Sequence, residues 1–266
     1  MANYTNGFAG DGVSIRGVPL AQTHVGRAFW VGNGTALYPV QKTASNGNDG
    51  SFLAPFSTLA YAVSRCTANR GDVIFIKAGH AEDVETATAL DLNIAGISVK
   101  GLGVGDGRPV FTVKTAATAT ITISANNVAF EDVIVKSGLD GLDTAVTITG
   151  NDVYANFEHQ DTSAAVEADI AVAITGNNVT LKLKDIGFAT GNQRDQSVTL
   201  AATTGARIEV DFYGIVVTAV VNFITTLSTD VVVKGYMYVS GTTNGSKNVV
   251  DTIGSSTWYA EVYDGA

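Results

Sequence analysis

The sequence predicts an all-β chain wound into a parallel β-helix, a solenoid whose coils are about 26 residues long. Three observations predict this fold: a long-period repeat, a strand-like composition in each repeat, and the lack of helical periodicity. Similar stretches begin at Ile121, Val146, Val172, Val198, Ile224 and Val250, in steps of 25 or 26 residues. A fixed period of roughly 20 to 50 residues is typical of a solenoid, whose repeats cannot bury their apolar faces alone.

Each repeat reads as short strands separated by polar turns. The first three copies are ITISANNV, VTITGNDV and VAITGNNV, which join β-branched residues to a turn of Asn, Asp or Gly. The apolar residues do not follow the 3.6-residue spacing of a helix. We expect three short strands and three turns per coil, stacked about 4.8 Å apart, so that six coils form a rod of about 29 Å.

The repeated turn carries Asn or Asp at the same place in successive coils. Asn tolerates the left-handed conformation of a sharp corner and can bond backbone groups of neighbouring coils. The predicted structural ladder consists of Asn126, Asn127, Asn151, Asp152, Asn177 and Asn178. Calcium-binding repeats need carboxylates in a tight loop, a pattern that this turn lacks. The sequence therefore predicts no metal and no cofactor.

Composition and charge exclude several classes of protein. The chain has 266 residues, of which 45% are hydrophobic and 15% charged, and it is predicted to form one solenoid domain. A net charge of −9 argues against a nucleic-acid groove, which needs clustered Lys and Arg. A single Cys, Cys66, excludes an internal disulfide. No apolar run is long enough to span a membrane, and the first residues do not form a secretion signal.

The N-terminal third divides into an arm and the first part of the solenoid. Residues 1–40 are predicted to form an extended arm, which Phe29 and Trp30 anchor or a partner orders; alternatively, they form a disordered tail or fold back onto the solenoid. Residues 41–110 contain a turn cluster, a capping helix over about 57–68 and the first coil. Ser57 or Thr58 is the expected cap of that helix. Residues 111–266 hold the repeated coils.

One segment resembles a known family. NGNDGSFLAPFSTLAYAV followed by GDVIFIKAGH is similar to the first segment of pectin-lyase-like right-handed β-helix proteins, and more narrowly of β-helical structural proteins of tailed bacteriophages. The stretch RGVPLAQTHVGRAFWV, from Arg16 to Val31, resembles the region that precedes it in such virion proteins. The resemblance covers about residues 16–105, and beyond that range the repeat alone predicts the fold.

The resemblance implies a right-handed β-helix and a structural role in a virion. We expect a capsid decoration protein, made in the host cytoplasm, that binds the major capsid protein on the capsid surface as a homotrimer. The arm residues Arg16, Phe29 and Trp30 are the expected contacts to that partner. A tail fibre, baseplate or tailspike component is an alternative. A polysaccharide lyase or hydrolase is a third hypothesis, although the leading expectation is that the chain is not an enzyme and contacts neither nucleic acid nor a membrane.

The enzyme hypothesis depends on three titratable residues. A constant step of 26 residues places His159, Asp185 and Asp211 at one position of successive coils, with about 5 Å between neighbouring backbones. Two carboxyl groups at such a distance suit a retaining glycosidase. Glu158 and Lys184 fall at another shared position, and a solvated ladder of alternating charge is the simpler interpretation.

Aromatic residues are concentrated in the last coils. They are Tyr236, Tyr238, Trp258, Tyr259 and Tyr263. We expect them to close the C-terminal end or to pack a trimer, and a carbohydrate-binding surface is the alternative.

Overall fold

The structure is a computed structural model. It describes residues 4–5, 8–9, 14–15, 18–19, 26–34, 42–163, 166–187, 196–215, 221–226, 230–240, 247–251 and 257–264. The chain is almost entirely β, with one α-helix, α1, at Leu59–Ser64 and a single 3-10 turn at Gly105–Gly107 in these ranges. The strands are β1 Tyr4–Thr5, β2 Phe8–Ala9, β3 Ser14–Ile15, β4 Val18–Pro19, β5 Ala28–Val31, β6 Val73–Ile76, β7 Ala81–Val84, β8 Leu90–Asp91, β9 Ser98–Gly101, β10 Val110–Val113, β11 Ile121–Ile123, β12 Ala129–Ser137, β13 Leu142–Ile148, β14 Tyr154–Asp161, β15 Ala168–Ile174, β16 Thr180–Gly187, β17 Gln196–Leu200, β18 Arg207–Ile215, β19 Val221–Thr226, β20 Val232–Ser240, β21 Lys247–Asp251 and β22 Thr257–Asp264.

Two parallel sheets form the solenoid. The long sheet has eleven strands and runs β22-β20-β18-β16-β14-β12-β9-β6-β5, with β10 beside β12 and β7 beside β10. The short sheet has seven strands in the order β21-β19-β17-β15-β13-β11-β8. The six repeat positions identified in the sequence are direct partners along the short sheet. This pairing confirms both the predicted β-solenoid and the coil length that the repeat predicts.

The expected three strands per coil are separate only in the first coils. The strands β9 and β10 are divided by a loop, yet both pair with β12, through residues 129–131 and 134–137 respectively. A bulge at Asp132, with a φ of 59°, bends β12 between the two halves. In β12, Asp132 thus takes the place of the loop that separates β9 from β10. Each later coil has one long strand in the long sheet and one strand in the short sheet.

The core is a set of stacked side chains inside the coils. One column in the long sheet contains Val99, Phe130, Ala155, Leu181, Ile208 and Val233, all of them buried. Alternate residues of each strand point inward because successive side chains of a strand lie on opposite faces. Each coil therefore buries its apolar residues against the coils on both sides, which a single repeat cannot do.

The solenoid begins earlier than the sequence predicted. Residues 28–31, placed within the extended arm, form β5, which pairs in parallel with β6. Phe29 is 6% exposed and belongs to the core, whereas Trp30 stacks on Phe75 at 5.0 Å between ring centroids. Phe29 and Val31 are the buried positions of this strand, and their alternation with more exposed residues is typical of β structure. Phe29 is thus a core residue and is not available as a partner contact.

Helix α1 packs against β5, β6 and β8 and buries Leu59, Ala62 and Val63. It lies inside the predicted range of about 57–68. Thr58 is the N-cap, and its side chain accepts a hydrogen bond from the Tyr61 N–H at 3.4 Å. The cap is supported from outside the helix, because residues of two other segments bond its first turn.

Two further side chains complete this cap. Asn46 Oδ1 accepts hydrogen bonds from the N–H groups of Ser57 and Thr58 at 3.1 and 3.3 Å. Glu82 Oε2 accepts the Leu59 N–H at 2.8 Å and lies 3.1 Å from His80 Nε2. The motif that carries the family resemblance therefore works as a structural closure of the first coil.

Candidate functional site

The outer face of the long sheet carries a charged groove with a volume of about 290 Å³. We define this charged groove by six of its lining residues: Arg108, Glu158, Lys182, Lys184, Glu209 and Asp211. Five of them lie on β14, β16 and β18, where outward-facing positions of successive coils stack on one another. The sixth, Arg108, comes from the loop before β10. With Asp132, which also lines it, the groove combines three cations and four carboxylates on one face of the solenoid.

Glu158 lies at the centre of the groove and is only 4% exposed. Its Oε2 accepts hydrogen bonds from Arg108 Nη2 at 2.6 Å and from Lys184 Nζ at 3.2 Å, and Gln160 bonds its Oε1. Burial by itself raises the pKa of Glu158, but the hydrogen bonds from Gln160, Arg108 and Lys184 outweigh it and lower the pKa. Glu158 is therefore held as a carboxylate and is unsuited to donate a proton.

Asp211 behaves in the opposite way. Burial and then the neighbouring Glu209 carboxylate raise its pKa, and the cations of Lys234 and Lys184 only partly offset them. Asp211 is paired in register with Lys184, which is itself paired with Glu158. Glu158 and Asp211 consequently have pKa values shifted in opposite directions, the arrangement by which enzymes separate an acid from a base.

The structure does not bring Asp185 and Asp211 together as the sequence predicted. In the long sheet Asp185 is paired with Phe212, and Asp211 with Lys184. The step from β16 to β18 is one residue longer than the step from β14 to β16, because the turn between β17 and β18 contains an extra residue. A shift of one residue moves a side chain to the other face of a sheet. Asp185 therefore lies in the core and Asp211 on the outer face, and the proposed retaining pair is wrong.

His159 and Asp185 do meet, but inside the core. His159 Nδ1 lies 2.8 Å from Asp185 Oδ1, and His159 Nε2 lies 3.0 Å from Ser137 Oγ. The order hydroxyl, imidazole and carboxylate matches the arrangement that activates a serine nucleophile. However, Ser137, His159 and Asp185 are each 0% exposed. A substrate cannot reach the hydroxyl in this conformation, so the grouping is not an active site.

The predicted Asn ladder forms hydrogen bonds between coils. Asn126 Oδ1 accepts the Asn151 N–H, and Asn151 Oδ1 accepts the Asn177 N–H, both at 2.8 Å. The next residues in each turn, Asn127, Asp152 and Asn178, have φ values of 55° or 56°. Asn178 Nδ2 also bonds Asp152 Oδ1 at 3.2 Å. The turn therefore uses its side chains to support the stack, as expected for a structural ladder.

Among the other predicted contact residues, the structure describes the side chains of Trp30 and Tyr236. Arg16 lies outside the residues with described side chains, as do Tyr238, Trp258, Tyr259 and Tyr263. The Tyr236 ring has the Lys234 ammonium 5.1 Å from its centroid. Trp30 packs edge-on against Phe52 at 4.9 Å between ring centroids.

Arg108 is the functional residue that sequence reasoning missed. It bonds Glu158, which lies 50 residues further along the chain and two strands away in the long sheet. Arg108 precedes the recognisable repeat, so no repeat position pointed to it. The only available signal was its place beside Pro109, directly before an alternating apolar strand.

Within the described part of the chain, no group of three or more His, Cys, Asp or Glu side chains is arranged to hold a metal ion. Over the same residues, no helix is long and apolar enough to cross a membrane.

Comparisons with known proteins add a single likeness. No protein-family model matches the chain, and no curated protein matches it. Among solved structures, it is similar to a rhamnogalacturonan lyase, with 13% sequence identity and a TM-score of 0.48. The match covers 90% of this chain and 84% of the lyase chain. The strand pairing by itself establishes the solenoid, and a likeness this distant carries no functional information.

Proposed function

We propose that this chain is a structural protein of a tailed-bacteriophage virion, of the capsid decoration type. The sequence resemblance over about residues 16–105 supports the virion origin. The observation that carries a structural role is the pairing of the most enclosed carboxylate in the charged groove. This carboxylate, Glu158, is occupied by Arg108, Lys184 and Gln160, and so is not free for acid–base chemistry.

The same pairing continues along the outer face of the long sheet. Lys100 Nζ lies 3.2 Å from both Glu131 and Asp132, and Lys234 Nζ lies 3.3 Å from Glu209. Such exposed pairs contribute little to stability individually, roughly 0 to 1 kcal/mol. They do balance charge between successive coils, which suits a rigid scaffold.

The proposed role is mechanical. The continuous core resists deformation along the solenoid, and a homotrimer on the capsid surface would tie neighbouring major capsid subunits together. The N-terminal segment before β5, including Arg16, would contact those subunits. A net charge of −9 would limit adhesion of the protein to nucleic acid. The chain would be made in the host cytoplasm and join the particle during assembly.

The test is to purify the virion, separate heads from tails and count this chain by quantitative mass spectrometry. The proposal expects hundreds of copies with heads and none with tails. A few copies per particle in the tail fraction would replace decoration with a fibre, baseplate or tailspike role. Absence from both fractions would overturn the virion proposal.

A second candidate is recognition or cleavage of an acidic polysaccharide in the charged groove. It is favoured by Asp211, whose pKa is raised by burial and by the neighbouring Glu209 carboxylate, and by Lys182, which has no ion pair among the described residues. Lys182 would bind a sugar carboxylate, and Asp211 would donate its proton to the leaving oxygen. Water would then add to the sugar carbon and return a proton to Asp211.

Incubating the wild-type protein with host-surface polysaccharide tests this second candidate. Cleavage that falls at least 100-fold in Asp211→Asn, but is unchanged in Asp106→Asn on an exposed loop, would support it. No cleavage by the wild type, together with no binding that Lys182→Ala weakens, would exclude the groove as a glycan site.

A further inference from the structure

Four polar side chains form a buried cluster inside the long sheet. We define the buried cluster as Ser137 of β12, His159 and Asp161 of β14, and Asp185 of β16. None of the four is more than 3% exposed. His159 is paired in register with Asp185 of the next coil, and Asp161 with Ser137 of the previous coil. The cluster thus spans three successive coils, and it belongs neither to the charged groove nor to the Asn ladder.

The hydrogen-bond geometry determines how many protons the cluster holds. The Ser137 hydroxyl donates its one hydrogen to Asp161 Oδ1 at 2.9 Å. Its oxygen also lies 3.0 Å from His159 Nε2, and this second contact needs a hydrogen from elsewhere. The Ser137 hydroxyl has no second hydrogen to supply, so Nε2 must carry one.

The other ring nitrogen needs a hydrogen too. His159 Nδ1 lies 2.8 Å from Asp185 Oδ1, and an ionised carboxylate can only accept. The extra proton could instead lie on Asp185 or on Asp161. An imidazole is a stronger base than a carboxylate, so the proton between Nδ1 and Asp185 belongs to the ring. Asp161 Oδ1, in turn, already accepts the Ser137 hydroxyl and the Ala168 N–H, the latter at 3.2 Å, which suits an ionised carboxylate.

We propose that His159 is an imidazolium ion buried between the carboxylates of Asp161 and Asp185, and that this ion cluster ties three coils together. The residues in register on either side of this pair are apolar: Phe111 and Val135 precede His159, and Phe212 follows Asp185. Two other buried acids adjoin the cluster along the described chain: Glu167, next to Ala168, and Glu158, which points to the opposite face of β14. Buried charges in apolar surroundings are stable only when each is paired and hydrogen-bonded, a condition that the imidazolium meets on both sides.

The cluster also distinguishes one strand register from others. A slip of two residues would keep the same side chains facing the core, because side chains alternate between the two faces of a strand. Only the observed register brings Ser137, His159 and Asp185 within hydrogen-bond distance. The polar contacts therefore add a specificity that the apolar columns lack.

Nitrogen NMR of the histidine rings tests the charge directly. The wild-type protein is labelled with ¹⁵N and recorded at pH 7.5, where an exposed histidine is mostly neutral. His159→Gln identifies the His159 signals among those of the three histidines. Two protonated ring nitrogens, with slowly exchanging hydrogens, are expected. A His159 ring with one unprotonated nitrogen would overturn the proposal.

Removing the bridging hydroxyl tests the coupling of the coils. In Ser137→Ala, we expect amide hydrogen exchange in β12, β14 and β16 to quicken about tenfold or more, since His159 and Asp161 each lose a buried bond. Ser124→Ala is the matched control, because the exposed Ser124 hydroxyl bonds only Asp91, at 2.7 Å. Equal exchange rates in the two variants would show that the cluster does not hold the coils together.

Discussion

At the scale of single residues, Gly50 occupies a position that no other residue fits. Its φ is +78°, and a Cβ atom there would lie 2.4 Å from Phe56 Cε2 and 3.1 Å from Phe29 Cδ1. Both rings belong to the core, so they cannot move aside freely. We expect Gly50→Ala to lower the free energy of unfolding by about 2 to 4 kcal/mol, measured by urea denaturation.

The matched control for that variant is Gly47→Ala, three residues earlier in the same turn cluster. A Cβ atom at Gly47 would meet only Ser45 Oγ, at 3.6 Å. Its stability should stay within about 0.5 kcal/mol of the wild type. Equal unfolding midpoints for the two variants would contradict the described packing of Gly50 beneath Phe56.

Asp72 makes the stability of the fold depend on pH. This carboxylate is 0% exposed and accepts hydrogen bonds at 2.7 Å from the Arg70 guanidinium and from the N–H groups of Arg27 and Thr67. Burial raises its pKa, but the hydrogen bonds from Arg70, Arg27 and Thr67 outweigh burial and hold the pKa below the ordinary 3.8. The unfolded chain therefore takes up the proton more readily than the folded one.

It follows that Asp72 stabilises the fold fully above about pH 4 and loses this effect as the pH falls through its lowered pKa. Asp72→Asn should cost about 2 kcal/mol at pH 7, and the difference from the wild type should shrink below about pH 4. Urea denaturation across pH 2–7 measures this trend, with Asp106→Asn as the exposed control. A difference that is constant with pH would refute the assignment.

At the scale of the turn element, Asn151 joins two neighbouring coils. Its side chain accepts the Asn177 N–H, and its own N–H donates to Asn126 Oδ1. Asn151→Ala leaves the Asn177 N–H without that acceptor, at a cost of about 1 to 2 kcal/mol. Thermal unfolding should show a melting temperature lower by roughly 2 to 6 °C. Asn93→Ala, on an exposed turn of an earlier coil, should leave it unchanged; an equal effect of both variants would argue against the ladder.

The same turn explains where sequence reasoning succeeded and failed. Asn126, Asn151 and Asn177 could be predicted because their side chains act within a local motif that recurs at a constant step. The turn after β17 holds one extra residue, with Ala202 at a φ of 57° and Gly205 at 70°. That insertion shifts the residues of β18 by one position against a fixed period. Asp211 consequently faces the groove, which a fixed period could not show.

At the scale of the whole molecule, the proposed trimer predicts a definite mass. The chain has a mass of 27.5 kDa, so light scattering on the purified protein should give about three times this value at micromolar concentration. As a trimer, the protein would gain avidity for a capsid by presenting three identical contacts. A mass equal to that of one chain, persisting as concentration rises, would contradict the trimer and weaken the decoration proposal.

The sequence by itself determined the coil length, the β composition and the chemistry of the recurring turn. Each depends on neighbouring residues or on a repeat, and stacking brings equivalent residues together without further information. Only the tertiary structure decided that Phe29 lies in the first strand of the solenoid, that Arg108 reaches Glu158, and that Asp185 is buried. These outcomes depend on loop lengths and on the exact strand register, since one inserted residue turns a side chain from solvent into the core.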